Sequence, residues 1–169
     1  MAATTQVHVF HGAGPTATDV TSTEIRFRRD DTDVVNAGAA VPIPTSGTNY
    51  SWRKHTKLRI VTDPANQISN LRFFSSGNAL GTGIVHQVLQ TGTYTQASST
   101  DETTSIGGTD STTYTSVSPL VVNSGVVMSV GAAPTYGTQD FLAQQMSVAT
   151  TASAGTSPAR TYTYRYDES

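Results

Sequence analysis

The chain has no cysteine, which excludes a disulfide framework, a thiolate metal site and a cysteine nucleophile. Charge is scarce as well. Only 13 % of residues are Asp, Glu, Lys or Arg, about half the usual share for a globular protein. Strong helix formers are few, with three Glu and two Lys in 169 residues. No apolar run approaches the roughly 20 residues of a membrane span, and Met1-Ala2-Ala3-Thr4-Thr5 carries neither the basic nor the apolar part of a signal peptide. The expectation is a soluble protein made without export machinery and with no membrane partner. A net charge of −2 and a pI near 6.0 supply no global field toward nucleic acid. What remains is a chain rich in Thr, Ser, Val, Gly and Tyr, which is a β composition.

Period-two alternation supports this along most of the length. Gln6-Val7-His8-Val9-Phe10 reads as a first strand closed by His11-Gly12-Ala13-Gly14-Pro15. Thr23 to Arg29 alternates again, with Ile25 and Phe27 inward. Gly, Pro and Ser make residues 37–47 an irregular excursion. Lys54 to Val61 and Ile68 to Phe74 are the densest strands, compatible with a hairpin across Asp63-Pro64. Ile84 to Leu89 follows. Leu120-Val121-Val122 and Val126 to Val130 read as two strands joined by a turn at Asn123-Ser124-Gly125. Phe141 to Val148 is the penultimate strand; Leu142, Gln145, Met146 and Ala149 also fit helical spacing, but the β-branched residues and glycines around them favour strand. The link from Ala152 to Pro158 leads to the last strand, where Tyr162, Tyr164 and Tyr166 share one face and Thr161, Thr163 and Arg165 the other. Such an ending needs a partner strand. Roughly eight to ten short strands with turns between them predict an all-β protein, a single antiparallel β-sandwich (immunoglobulin-like or jelly-roll-like) over residues 1–169. Residues 91–115, mostly Thr, Ser, Gly and Asp, are expected as a long polar loop or weak edge strands.

No residue pattern points to catalysis. Asp30-Asp31-Thr32-Asp33 is the one acidic cluster, but it lacks the glycine and closing glutamate of a calcium loop and reads as a solvated turn. His8, His11, His55 and His86 fall in separate segments without ligand spacing. There is no G-x-S-x-G elbow, and the glycine pairs lack the Lys and helix of a phosphate loop. The chain is therefore expected to have no catalytic, metal or cofactor residues and to need no cofactor. Its cations are unevenly placed: Arg26, Arg28, Arg29, Arg53, Lys54, Lys57, Arg59 and Arg72 all precede residue 73. If the strands at 23–29, 54–61 and 68–74 share a sheet, these form one positive face. It would meet water or an acidic protein surface in preference to nucleic acid. Trp52, the only tryptophan, is either a loop anchor or a contact hot spot.

Asn49-Tyr50-Ser51-Trp52-Arg53-Lys54, then Leu58-Arg59-Ile60, then Ile68-Ser69-Asn70-Leu71-Arg72-Phe73 resemble stretches of small virion proteins of tailed bacteriophages. The close Tyr162-Thr163-Tyr164-Arg165-Tyr166-Asp167-Glu168 is similar to theirs, and the Ala154-Gly155 turn resembles the last hairpin of an immunoglobulin-like sandwich. The likeness covers about half the chain, is carried by packing and turn residues, and departs at Trp52-Arg53, the basic run after it and residues 91–115. It implies a virion structural protein: a decoration or cement protein on the capsid surface, present as a homo-oligomer and bridging copies of the major capsid protein or other virion proteins. A neck- or tail-associated location and a carbohydrate-binding or adhesive module are the alternatives. On that reading, the contacts are expected from Trp52, Arg53, Lys54, Lys57, Arg26 and Arg28, and from Val7 and Val9, whose strand would pair with a neighbouring sheet edge.

Overall fold

The computed structural model describes residues 2–32, 39–63, 67–129, 131, 133–155 and 158–169. The strands among them are β1 (Thr4–His11), β2 (Thr16–Asp19), β3 (Thr48–Tyr50), β4 (Lys54–Thr62), β5 (Gln67–Gly77), β6 (Ile84–Thr91), β7 (Thr109–Asp110), β8 (Leu120–Ser129), β9 (Phe141–Ala149) and β10 (Arg160–Glu168). They form two antiparallel sheets. The wide sheet runs β2-β1-β4-β9-β6-β7, with β3 also pairing β9, and the narrow sheet runs β10-β5-β8. The expected all-β sandwich is the observed architecture.

The core lies between the sheets. Leu58 and Ile60 of β4, Val88 of β6 and Leu142 of β9 meet Ile68, Leu71 and Phe73 of β5 and Val122 of β8, all buried. Tyr162, Tyr164 and Tyr166 pack against this cluster from β10, as their spacing requires. Tyr162 stacks on Phe73 at 6.0 Å and Tyr164 meets the same ring edge-on at 5.7 Å. Burial of the Tyr164 hydroxyl is offset by a 2.8 Å hydrogen bond with Thr56 Oγ1 on the opposite sheet. The terminal strand is sewn in at its last residue, where Ser169 and Gln67 exchange backbone hydrogen bonds of 3.0 and 3.1 Å.

Three expectations are corrected. β4 and β5 are not a hairpin but lie in different sheets, because each turns its apolar face to the shared core from opposite sides; Pro64 of the expected turn lies outside the described residues. Asn123-Ser124-Gly125 is not a turn. β8 runs through it, and the extra residues are absorbed as register shifts against β5, with Asn123 Oδ1 accepting from Gly125 N at 2.8 Å. Residues 23–29 form no strand. The segment 24–28 lies outside any ladder, held at its end by Trp52 N donating to Arg28 O at 2.7 Å and Arg29 N to Ala39 O at 2.8 Å. Its alternation encodes two faces, and an irregular cover satisfies two faces as well as a strand does.

Replacing Phe73 by Ala is expected to lower the unfolding free energy by about 3–5 kcal/mol in urea titration. Replacing Val117, which is 92 % exposed, should shift it by no more than about 0.5 kcal/mol.

Candidate functional site

Trp52 and Arg53 lie in the link between β3 and β4, where the outer face of the wide sheet is covered by the polar stretch after β6. A short 3-10 turn there, Ser99–Glu102, carries two carboxylates that take both residues. Asp101, 1 % exposed, accepts from Arg53 Nε at 2.8 Å, from Arg53 Nη2 in a short ion pair, and from the backbone of Arg53 and Ser98 at 3.3 and 3.2 Å. Glu102 accepts from Trp52 Nε1 at 3.0 Å and from Arg29 Nη1 at 2.9 Å. Beneath them Gln145 of β9, fully buried, donates to the carbonyls of Ser51, Asp101 and Thr104 and accepts from Ile106 N. Buried polar groups are tolerated when every one is paired, and this network staples the loop to the sheet. Tyr94 of the same stretch completes an aromatic layer with Phe10, His55 and Phe141, its ring 5.0 Å from His55 and its hydroxyl donating to Gly12 O at 2.9 Å. The polar stretch is thus a lid over a second, smaller core.

The other expected contact residues are drawn inward or neutralised within the chain. Lys54 is 1 % exposed and its Nζ donates to the carbonyls of Asp30 and Thr32 at 3.0 and 2.9 Å. Arg28, also buried, pairs with Asp30 at 3.0 Å. Lys57 Nζ lies 4.0 Å over the Phe141 ring, and partial burial lowers its pKa against the pull of Asp140. Arg26 pairs with Glu24 in the open, and Arg72 with Asp167. A single positive face does not assemble, because β4 and β5 belong to different sheets and Arg26, Arg28, Arg29, Arg53 and Arg72 each pair with a carboxylate within the chain. β1 is no free edge either. It pairs β4 on one side and β2 on the other, Val9 is buried, and Val7 holds Val20 N and Thr21 Oγ1 on its backbone groups. Within the acidic cluster, Asp31 Oδ2 accepts from Gly12 N at 2.8 Å, which makes it a turn clamp; Asp33 lies outside the described residues.

What sequence reading missed is a groove between the sheets of about 1140 Å³. Its floor is the inner face of the wide sheet, with Val7, Ile84, Met146 and Val148; Tyr162 and Tyr164 of β10 form one wall, and Ile25, Phe27, Val41 and Ile43 the other. Arg26, Arg28, Arg160 and Glu24 stand around it. At its inner end His86 is fully buried between the rings of Phe27 at 4.7 Å and Tyr162 at 4.5 Å. Burial lowers its pKa to about 3, against an opposing pull from the Gln144 side chain, which is near the ring without completing a full hydrogen bond to either nitrogen. The same desolvation holds His55 at about 4 and pushes Tyr162 up to about 12. These shifts mark dry surroundings, not a proton-transfer pair. Among the described residues no group of three His, Asp or Glu could hold a metal ion, and no helix is long and apolar enough to cross a membrane.

Comparison with family models, with curated proteins and with solved structures gives no match for this chain.

Two outcomes follow from this geometry. Glu102→Gln removes the carboxylate from Trp52 and Arg29 and should shift the emission of the only tryptophan. Asp101→Ala strands a largely buried guanidinium and should cost about 3 kcal/mol of stability in denaturant titration. The histidines set the acid side. Unfolded, each takes a proton near pH 6.5; folded, His86 resists it to about 3. Stability conferred by the neutral ring is therefore complete above pH 6.5 and falls as pH drops from there toward the folded value. In His86→Leu the fall in unfolding free energy between about pH 6 and 4 should be shallower than wild type by about 1.4 kcal/mol per pH unit.

Proposed function

We propose that this chain is a structural component of a bacteriophage virion, and specifically a decoration protein that sits on the capsid shell in many copies and bridges neighbouring subunits. The observation that carries this reading is the C-terminal Tyr162 to Glu168 segment. Its sequence resembles the close of small phage virion proteins, and here it is a nine-residue strand tied to the core by its tyrosines. The remainder is in keeping with a part whose output is shape. Two packed sheets give rigidity, five arginines pair with carboxylates within the chain, and the strongly shifted pKa values of His55, His86 and Tyr162 come chiefly from burial. A decoration protein acts by mass action: binding the assembled lattice and not the free subunits stabilises the lattice by its own binding free energy. The sugar-binding alternative has less support, since Tyr162 and Tyr164 face the core and Tyr94 packs beneath the polar lid. A neck or tail position stays distinct, because a ring would hold few copies.

Quantitative mass spectrometry of purified particles decides between these positions. A copy number comparable to the major shell protein is expected. A number fit for one ring would place the chain at the neck or tail, and absence from particles would remove the virion reading.

A further inference from the structure

The narrow sheet ends at β10, and its outermost backbone groups can be assigned. Ser75 N donates to Tyr114 O at 3.0 Å, away from β10. Ser75 stands opposite Tyr162 and Phe73 opposite Tyr164. In an antiparallel ladder opposite residues either exchange both hydrogen bonds or neither. Tyr162 and Tyr164 therefore point their N–H and C=O away from β5, toward the side where the sheet stops. No described residue of this chain bonds to them there. Beside that edge runs the apolar groove, lined by those same two tyrosines. The wide sheet supplies its floor, so the empty lane has the cross-section of a missing strand.

The dimensions agree. A strand lane about 4.8 Å wide, 10 Å deep and 3.3 Å long per residue occupies roughly 160 Å³. A groove of about 1140 Å³ has room for an extended segment of several residues. The chain's own candidate, the segment 24–28, lines the far wall without laddering to β10. The opposite edge of the sheet is treated differently. β8 carries repeated register shifts, and Thr138 covers the carbonyls of Val126 and Val127 with its side chain and its N–H. Bulging and covering are the usual ways of blunting an edge; between Arg160 and Arg165, β10 has neither.

We infer that β10 and the groove beside it form an acceptor site for an extended segment of another protein, which adds as a fourth strand and seats alternate apolar side chains on Val7, Met146 and Val148. Charge complementarity gives the segment an acidic residue. Among the described residues Arg160, at the groove, bonds only the Gly77 and Asn78 carbonyls and Ser75 Oγ, meets no carboxylate, and leaves its buried Nε without an acceptor. A second copy is the poorer occupant. Every strand among the described residues is already laddered, and a copy would have to release one from its sheet to place it in the groove. This surface goes beyond the particle assignment and stands or falls separately from copy number.

The test uses the full chain and a synthetic, end-blocked peptide of about eight residues alternating Val and Thr with one Asp. Binding by calorimetry is expected, with amide exchange at Tyr162 and Tyr164 slowed about tenfold or more. The same peptide N-methylated on alternate amides should not bind. Ile43→Asp, at the exposed groove rim, should weaken binding about tenfold with the unfolding midpoint unchanged. Arg160→Gln should weaken the Asp peptide but not its Thr counterpart. Absence of protection on β10 would overturn the proposal. So would equal binding of the N-methylated peptide, which would mean a general apolar pocket. Protection already present in the free protein and dependent on its concentration would overturn it in favour of a second copy.

Discussion

Two sheets of unequal width share one core, and most of this molecule follows from that mismatch. Six strand positions face three. The β10–β5–β8 side seals the inner face over Leu58, Ile60, Val88 and Leu142. Beyond it, Val7, Val9, Met146 and Val148 need another cover, and the irregular segments around residues 20–32 and 39–43 provide it. Irregular backbone cannot pair with the sheet it covers, so its polar groups need partners of other kinds. Lys54 answers part of that need. An ammonium with 1 % exposure is tolerable because its donors satisfy two carbonyls of the covering chain. The groove is the part of the mismatch that no segment of the described chain fills.

The sequence carried the architecture well and the pairing poorly, for physical reasons. Alternation reports which side of a residue run is wet, and on that basis Leu58 to Ile60, Ile68 to Phe73 and Tyr162 to Tyr166 read as strands with one apolar face, whereas Val7 and Val9, expected as partner contacts, turned out to face inward. It is silent on which strand lies alongside. β4 and β5 are adjacent in sequence with matching patterns, yet they face each other across the core. Period two was also ambiguous at Ile25 and Phe27, where an unladdered cover produces the same signature. Asn123-Ser124-Gly125 has the composition of a turn, and only the partner strand, with Asn70 at φ 51°, reveals a bulge. The expected contact residues failed for a related reason. A run of cations has meaning only with its carboxylates, and Asp101 and Glu102 lie about fifty residues away from Trp52 and Arg53 in the chain.

The Thr- and Ser-rich stretch shows how low hydrophobicity coexists with order. Residues 91–108 contain few apolar side chains, yet Ala97, Asp101 and Ser111 in and near it are buried. Its order comes from directed hydrogen bonds, above all the three carbonyls held by Gln145 Nε2. Such a network is cooperative: each partner left unpaired in a dry setting costs more than an average hydrogen bond contributes. Tyr94 adds the single large apolar contact that fixes the lid over Phe10 and Phe141. A composition that suggested looseness thus produces a clamp.

This internal use of charge constrains how the molecule can associate. Arg28, Arg29, Arg53 and Arg72 each have a carboxylate within the chain, so little unbalanced field is left to steer a partner from a distance. Exposed large apolar residues are scattered, with Val117, Val121 and Val126 on or beside β8 and Ile43 at the groove. Specific association must then rest on short-range, directional features. Backbone groups at a sheet edge are directional, do not vary with salt as surface charges do, and impose a register through the pleat. β8 has lost that property through its bulges and the Thr138 cover, while β10 retains it beside an apolar floor. In a chain with so few charges to spare, the place where backbone and apolar surface lie open together is the place where recognition can be both strong and specific.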